Sequence, residues 1–193
     1  MHPLQAGDDQ TLCSALLAHY PEMAGVGYGA REPGILHRLD TNTSGLVIAA
    51  RTDAAFTRLR DALRGGEIDK RYKARVVGRV RAPQVLDAPL RATGKRMSAD
   101  FDARDQGDLH ALTEVLASTP APGGSLVEVR ARSARRHQVR AHLAAYGHPL
   151  IGDVLYAGPP SAPRHLLHAC AITFESSGAR RTVSADPPAD FDA

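Results

Sequence analysis

Asp40 closes the run His37-Arg38-Leu39-Asp40, and Thr41-Asn42-Thr43-Ser44-Gly45 follows it, a stretch of turn formers. On an extended strand side chains alternate, so Arg38 and Asp40 share one face while His37 and Leu39 share the other. A carboxylate where a strand meets a turn is held by a rigid element and still reaches a cleft. The plainer alternative is an aspartate that caps the turn through its own backbone. A second cluster is Arg135-Arg136-His137-Gln138-Val139-Arg140-Ala141-His142-Leu143. On a helix Arg136 and Arg140 lie on one face, where such arginines clamp phosphates or turn inward to pair with a carboxylate. The alternative is a solvated face. His137 and His142 are spaced too far apart for a helical metal site, which wants three or four residues, so no metal is expected. A third cluster is Lys70-Arg71-Tyr72-Lys73-Ala74-Arg75. There Tyr72 could stack on a base while the cations meet phosphate, or it could be half-buried packing.

Elements that would position these residues follow from periodicity and punctuation. A short helix is predicted over 12–19 with Thr11 as its cap, then a glycine-rich loop at 25–29. That loop follows a helix and Pro21 instead of a strand, so it is read as flexible and not as a dinucleotide site. β-compatible runs at 34–39 and 45–50 flank the turn after Asp40. Thr52 or Asp53 caps a helix to Arg64, with Phe56, Leu59 and Leu63 at helical spacing and Gly65-Gly66 as its stop. Strands are predicted over 72–80, 109–116, 125–131 and 167–174, with a Pro/Gly turn at 120–124. A helix over 135–146 carries Val139, Leu143 and Tyr146 on one stripe and stops at Gly147. The turn-rich segment 147–153 is read as architecture, with Asp153 as a structural hydrogen-bond acceptor. The tail 187–193 is expected to be disordered. More strand than helix argues for an α+β fold on a mixed, mainly antiparallel sheet with flanking helices.

Composition narrows the class. The 193 residues, 43% hydrophobic and 23% charged, suit one globular domain over 1–193, with 1–33 as its N-terminal loop and helix segment. No apolar run approaches the roughly 20 residues that cross a bilayer, and the start lacks a signal-peptide pattern. Cys13 and Cys170 form no CxxC pair, which fits a reducing cytoplasm. The net charge is only +3, but residues 58–75 and 128–140 each carry a local excess of +4. Two such blocks could converge on one polyanion, or remain two solvated faces. No P-loop, HExxH or GxSxG pattern occurs.

Taken together and in order, these segments resemble the RluA-type family of pseudouridine synthases. The resemblance runs from about Gly34 to Phe174: the stretch from His37 to Leu46, the tyrosine at 70–78, the helix at 135–143, the segment 147–156, and His168-Ala169. It implies the pseudouridine synthase catalytic fold and an enzyme that flips uridine out of RNA and isomerises it. Asp40 would be catalytic, attacking the nucleotide or removing a sugar proton. Tyr72 would stack on the uracil, Arg140 would pair with Asp40 and orient it, and Arg38 would fill the vacated space or hold a phosphate. Lys70, Arg71, Arg135 and Arg136 would bind RNA. The partner would be ribosomal or transfer RNA, the protein a monomer, and no metal or organic cofactor would be needed. Two departures are Ala134, where the family has glycine, and the start. Met1-His2-Pro3 resembles the end of a segment whose preceding strand, about 5–6 residues, would be missing. A non-catalytic RNA-binding module with the same fold, inactivated by that truncation, is the main rival. An unrelated hydrolase using His37 and Asp40 is the second, made awkward by their opposite strand faces.

Overall fold

Alternating burial and the turns between break the chain into nine strands and three α-helices among the described residues. The computed structural model describes residues 10–29, 33–101, 110–131, 135–176 and 178–191. Their contacts divide into two units, one within Met1–Leu39 and Val47–Gly65, the other within Asp40–Leu46 and Gly66–Ala193. Leu109, Ala134 and the segment 1–9 lie outside the described residues.

In the first unit α1 (Leu12–His19) starts as expected at Thr11, whose hydroxyl accepts from the Ser14 N–H at 3.1 Å. The second helix, α2 (Asp53–Arg64), starts at Thr52 in the same way and buries Phe56 and Leu59. The glycine run is packed where a flexible loop was expected. Gly27 donates its N–H to Asp53 Oδ1 at 3.0 Å, and a Cβ on it would sit 2.6 Å from the Phe56 ring. The expected strands at 34–39 and 45–50 shrink, within this unit, to one bridge, Ile35 with Ala49, and two flanking bonds. One reason is His37, whose Nε2 accepts the Ile48 N–H at 3.1 Å in place of a backbone carbonyl.

The second unit holds β1 (Ser44–Gly45), β2 (Asp69–Val77), β3 (Gln84–Asp87), β4 (Leu90–Thr93), β5 (Arg96–Ala99), β6 (Leu112–Ala121), β7 (Gly124–Arg130), β8 (Leu167–Ser176) and β9 (Ala179–Ser184). Seven of these form one sheet in the order β1-β8-β2-β7-β6-β3, with β9 also on β8, while β4 and β5 make a separate hairpin. Only β1 with β8 is parallel. The class is the α+β fold expected. The four-residue strands β3, β4 and β5 are too short for a period-two pattern, and β9 is exposed along its whole length, so neither face reads as buried.

Two further expectations change in this unit. The helix predicted over 135–146 is α3 (Gln138–Ala145). His137 ahead of it is left-handed, φ +54, and Gln138 Oε1 accepts the Arg135 N–H at 2.9 Å. Arg136 therefore precedes the helix and does not share a helical face with Arg140. The tail expected to be disordered is built in as far as Phe191, with 192–193 outside the described residues. Phe191 is 2% exposed and packs on Ile151 and Leu166, because one aromatic finds an apolar pocket there. Arg164 also grips Asp190 through two bonds of 2.6 and 2.8 Å. No helix among the described residues is long and apolar enough to cross a membrane.

Candidate active site

Asp40 begins a tight turn and stands on no regular strand. Its carbonyl accepts the Thr43 N–H at 2.9 Å, and Asn42 takes the left-handed third position, φ +72, which asparagine tolerates. The turn leads into β1, where a Cβ on Gly45 would meet the Ala169 carbonyl at 2.3 Å. Glycine there lets β1 lie against β8. Thr43 Oγ1 bonds His165 Nε2 at 2.8 Å, Ser44 Oγ bonds His168 Nδ1 at 2.9 Å, and Arg164 Nη1 donates to the Asn42 carbonyl at 2.9 Å. Every residue from Asn42 to Ser44 is thus tied by a side chain from the segment that enters β8.

The Asp40 side chain does not cap its own turn. Arg140 Nη1 donates to its Oδ2 at 3.2 Å. Arg140 is 5% exposed, and its other edge donates to Asp153, Nε to Oδ2 at 2.7 Å and Nη2 to Oδ1 at 2.9 Å. The Tyr156 ring lies 5.0 Å from the guanidinium carbon. Asp153 is the structural acceptor expected of it, with a side chain only 1% exposed, whereas that of Asp40 is 21% exposed. A bidentate buried pair fixes the guanidinium plane, and the plane aims its remaining edge at Asp40.

Tyr72 sits on β2 opposite Ala169, and Ala169 lies opposite Gly45 on the far side, so the tyrosine and the Asp40 turn flank β8. The β2–β8 register slips by one residue between Arg71 and Tyr72. Such bulges re-aim side chains. Tyr72 is buried, and burial pushes its phenol pKa well up, with the charge of Asp40 and Cys170 adding in the same direction. It is thus within electrostatic reach of Asp40.

The remaining sequence candidates scatter. Lys70 is 5% exposed, and burial lowers its ammonium to about 8, a poor posture for gripping a polyanion. Arg71 alternates to the other side of β2 and donates to Glu128 at 3.1 Å. Arg135 and Arg136 are exposed before α3, and Arg136 also donates to the carbonyls of Gly94 and Arg96. Arg38 is exposed and belongs to the first unit.

Sequence reasoning missed Arg164, His165, Tyr156 and the position of His137. Burial first, then the cation of Arg140, takes His165 down to about 4, against the pull of Asp153 and Asp40, so this imidazole is neutral beside the cluster. A signal for Arg164 and His165 was available in their adjacency to the Leu166-Leu167-His168-Ala169 run. Chemically the arrangement offers one partly open carboxylate on a fixed guanidinium, with an aromatic ring nearby. That combination suits attack on, or proton removal from, a planar base-bearing substrate. Among the described residues no cluster of His, Cys, Asp or Glu has the geometry to hold a metal ion.

Residues 25–145 match the RNA pseudouridylate synthase family. Over 89% of its length the chain is 36% identical to the ribosomal large subunit pseudouridine synthase D of Zymomonas mobilis, of which it spans 54%. It is 36% identical over 99% of its length to an uncharacterized RNA pseudouridine synthase of Chloroflexus aurantiacus, of which it spans 61%. The chain therefore covers between half and two thirds of these curated relatives. Its fold also matches a solved structure, human RNA pseudouridylate synthase domain containing 1, with a TM-score of 0.73 at 23% identity, over 93% of this chain and 75% of that one.

Proposed function

Because the chain belongs to the RNA pseudouridylate synthase family, we propose that it isomerises uridine in RNA to pseudouridine, with Asp40 as the reacting carboxylate. In that reaction the N1–C1′ glycosidic bond breaks, a C5–C1′ bond forms, C5 loses its proton and N1 gains one, so no outside redox partner is required. The observation that carries the reading is the Arg140 bridge: Asp153 fixes the guanidinium, and the guanidinium holds Asp40 at 3.2 Å without burying it. Electrostatic preorganisation of this kind lets a carboxylate meet its substrate without first reorganising its surroundings.

In this reading the uridine is flipped from its RNA, a step suited to single-stranded or loosely paired bases. Tyr72 supports the uracil, and Arg38 takes the vacated space or a phosphate. Arg135 and Arg136, exposed ahead of α3, contact the RNA backbone. Lys70, buried, and Arg71, engaged by Glu128, have no direct role. Large-subunit ribosomal RNA is the preferred substrate over transfer RNA, on the name of the Zymomonas mobilis relative. The protein acts as a monomer in the cytoplasm, an environment that suits the buried thiols of Cys13 and Cys170.

The test is to incubate the chain with unmodified large-subunit ribosomal RNA transcript, digest the product to nucleosides and quantify pseudouridine by chromatography. Pseudouridine rising with time and enzyme supports the reading. Salt-sensitive RNA binding without any pseudouridine would overturn it in favour of a non-catalytic binding module.

A further inference from the structure

His137 has a place in the cluster that its sequence spacing does not suggest. The left-handed backbone turns it out of the α3 register, and its Nδ1 lies 3.0 Å from the Tyr156 hydroxyl oxygen. The same oxygen accepts the Met97 N–H at 2.8 Å, and a backbone N–H can only donate. Tyr156 is 7% exposed and its phenol has one proton. Among the described residues His137 Nδ1 is the acceptor for that proton. Leaving it without one would cost a buried donor its bond. An imidazole that accepts at Nδ1 is neutral and carries its proton on Nε2. Burial lowers the His137 pKa, Asp40 pulls against it, and Arg140 and Arg136 reinforce it, so the ring is also in the electrostatic neighbourhood of the Asp40 carboxylate. The ring is half-buried, and among the described residues its hydrogen bond runs from Nδ1 to Tyr156, which leaves Nε2 available.

Resting on the function proposed above, we propose that His137 is a further substrate-contacting residue, its Nε2–H donating to a carbonyl oxygen of the base held at Asp40. Tyr156 is the positioning residue: its one hydroxyl sets the His137 tautomer, anchors β5 through Met97, and its ring lies against Arg140. A neutral donor matches the uncharged carbonyls of uracil. A phosphate would favour a cation, and Arg135 and Arg136 already supply those in the two preceding positions.

The experiment pairs tautomer with turnover on the full chain. Two-bond proton–nitrogen spectra of histidine-labelled protein should show His137 protonated at Nε2 alone near neutral pH, and Tyr156→Phe should abolish that pattern. His137→Ala should lose about tenfold or more in kcat/KM for uridine isomerisation, the worth of one hydrogen bond. His137→Gln, which keeps an N–H donor, should recover most of that loss, while His137→Ala should also lower the Tm modestly, because it leaves the buried Tyr156 hydroxyl without its acceptor. An active wild type whose His137→Ala variant turns over equally fast overturns this proposal alone, as does an Nδ1-protonated ring. A wild type that isomerises no uridine in any RNA overturns the parent reading and this one together.

Discussion

Two arginine–carboxylate clusters share the second unit, and they differ in what each leaves open. On β2, β6 and β7, Arg130 donates to Asp69 at 3.1 Å and to Glu114 at 3.3 Å, while Arg71 pairs with Glu128 at 3.1 Å and Asp69 at 3.5 Å. These are cross-strand neighbours, Arg71 opposite Arg130 and Arg130 opposite Glu114. Both cations there are answered, and the network braces the sheet surface. In the Arg140 cluster one carboxylate is closed and the other is not. Asp153 takes two bonds and is buried, while Asp40 takes one at 3.2 Å and keeps 21% of its side chain exposed. Charge density does not separate the two clusters; the incomplete satisfaction of a single carboxylate does.

Substitutions can break that contrast at several strengths. Asp153→Ala should have the largest effect on the fold, because it leaves the Arg140 guanidinium buried without its main partner. A loss of about 3–5 kcal/mol is expected from denaturant unfolding, with loss of activity alongside. A histidine sets the next effect. His165 titrates at about 4 against an ordinary 6.5, so between these values the unfolded chain binds a proton that the folded chain refuses. Its contribution to stability is therefore present above pH 6.5 and is lost as pH falls toward 4. The loss should be on the order of 2 kcal/mol, and His165→Gln should flatten that part of the stability profile. In the sheet-surface network Asp69→Asn should cost about 1 kcal/mol or less and leave the isomerisation rate unchanged. A rate loss there comparable to that of Asp153→Ala would erase the distinction between the clusters.

How much of this was legible depended on range. Local signals sufficed for α1, α2 and their threonine caps, and for the order Asp40, Tyr72, Arg140. The partner of Arg140 lies a hundred positions away in the chain at Asp40, a pairing that the family resemblance implies and that periodicity alone leaves without a trace. Asp153 was legible as an acceptor, though its donor was not. Arg164 and His165 reach back to Asn42 and Thr43, so their place beside the Leu166-Leu167-His168-Ala169 run marks them as candidates without specifying the contact. The segment at 187–191 was misread because paired prolines and acids outweighed one phenylalanine, and that phenylalanine proved to be the anchor. The helix start was misplaced because a left-handed His137 has no compositional signature.

The central claim is that the open carboxylate of Asp40 does the chemistry while the rest of its cluster holds it still. Tritium release from RNA labelled at uridine C5 tests it most directly, with wild type and Asp40→Asn compared at matched RNA occupancy. Asparagine keeps the shape and can still accept from Arg140, so Tm and RNA binding should be little changed. Release should nonetheless fall by at least about a thousandfold. Equal release from both proteins would remove Asp40 from the mechanism.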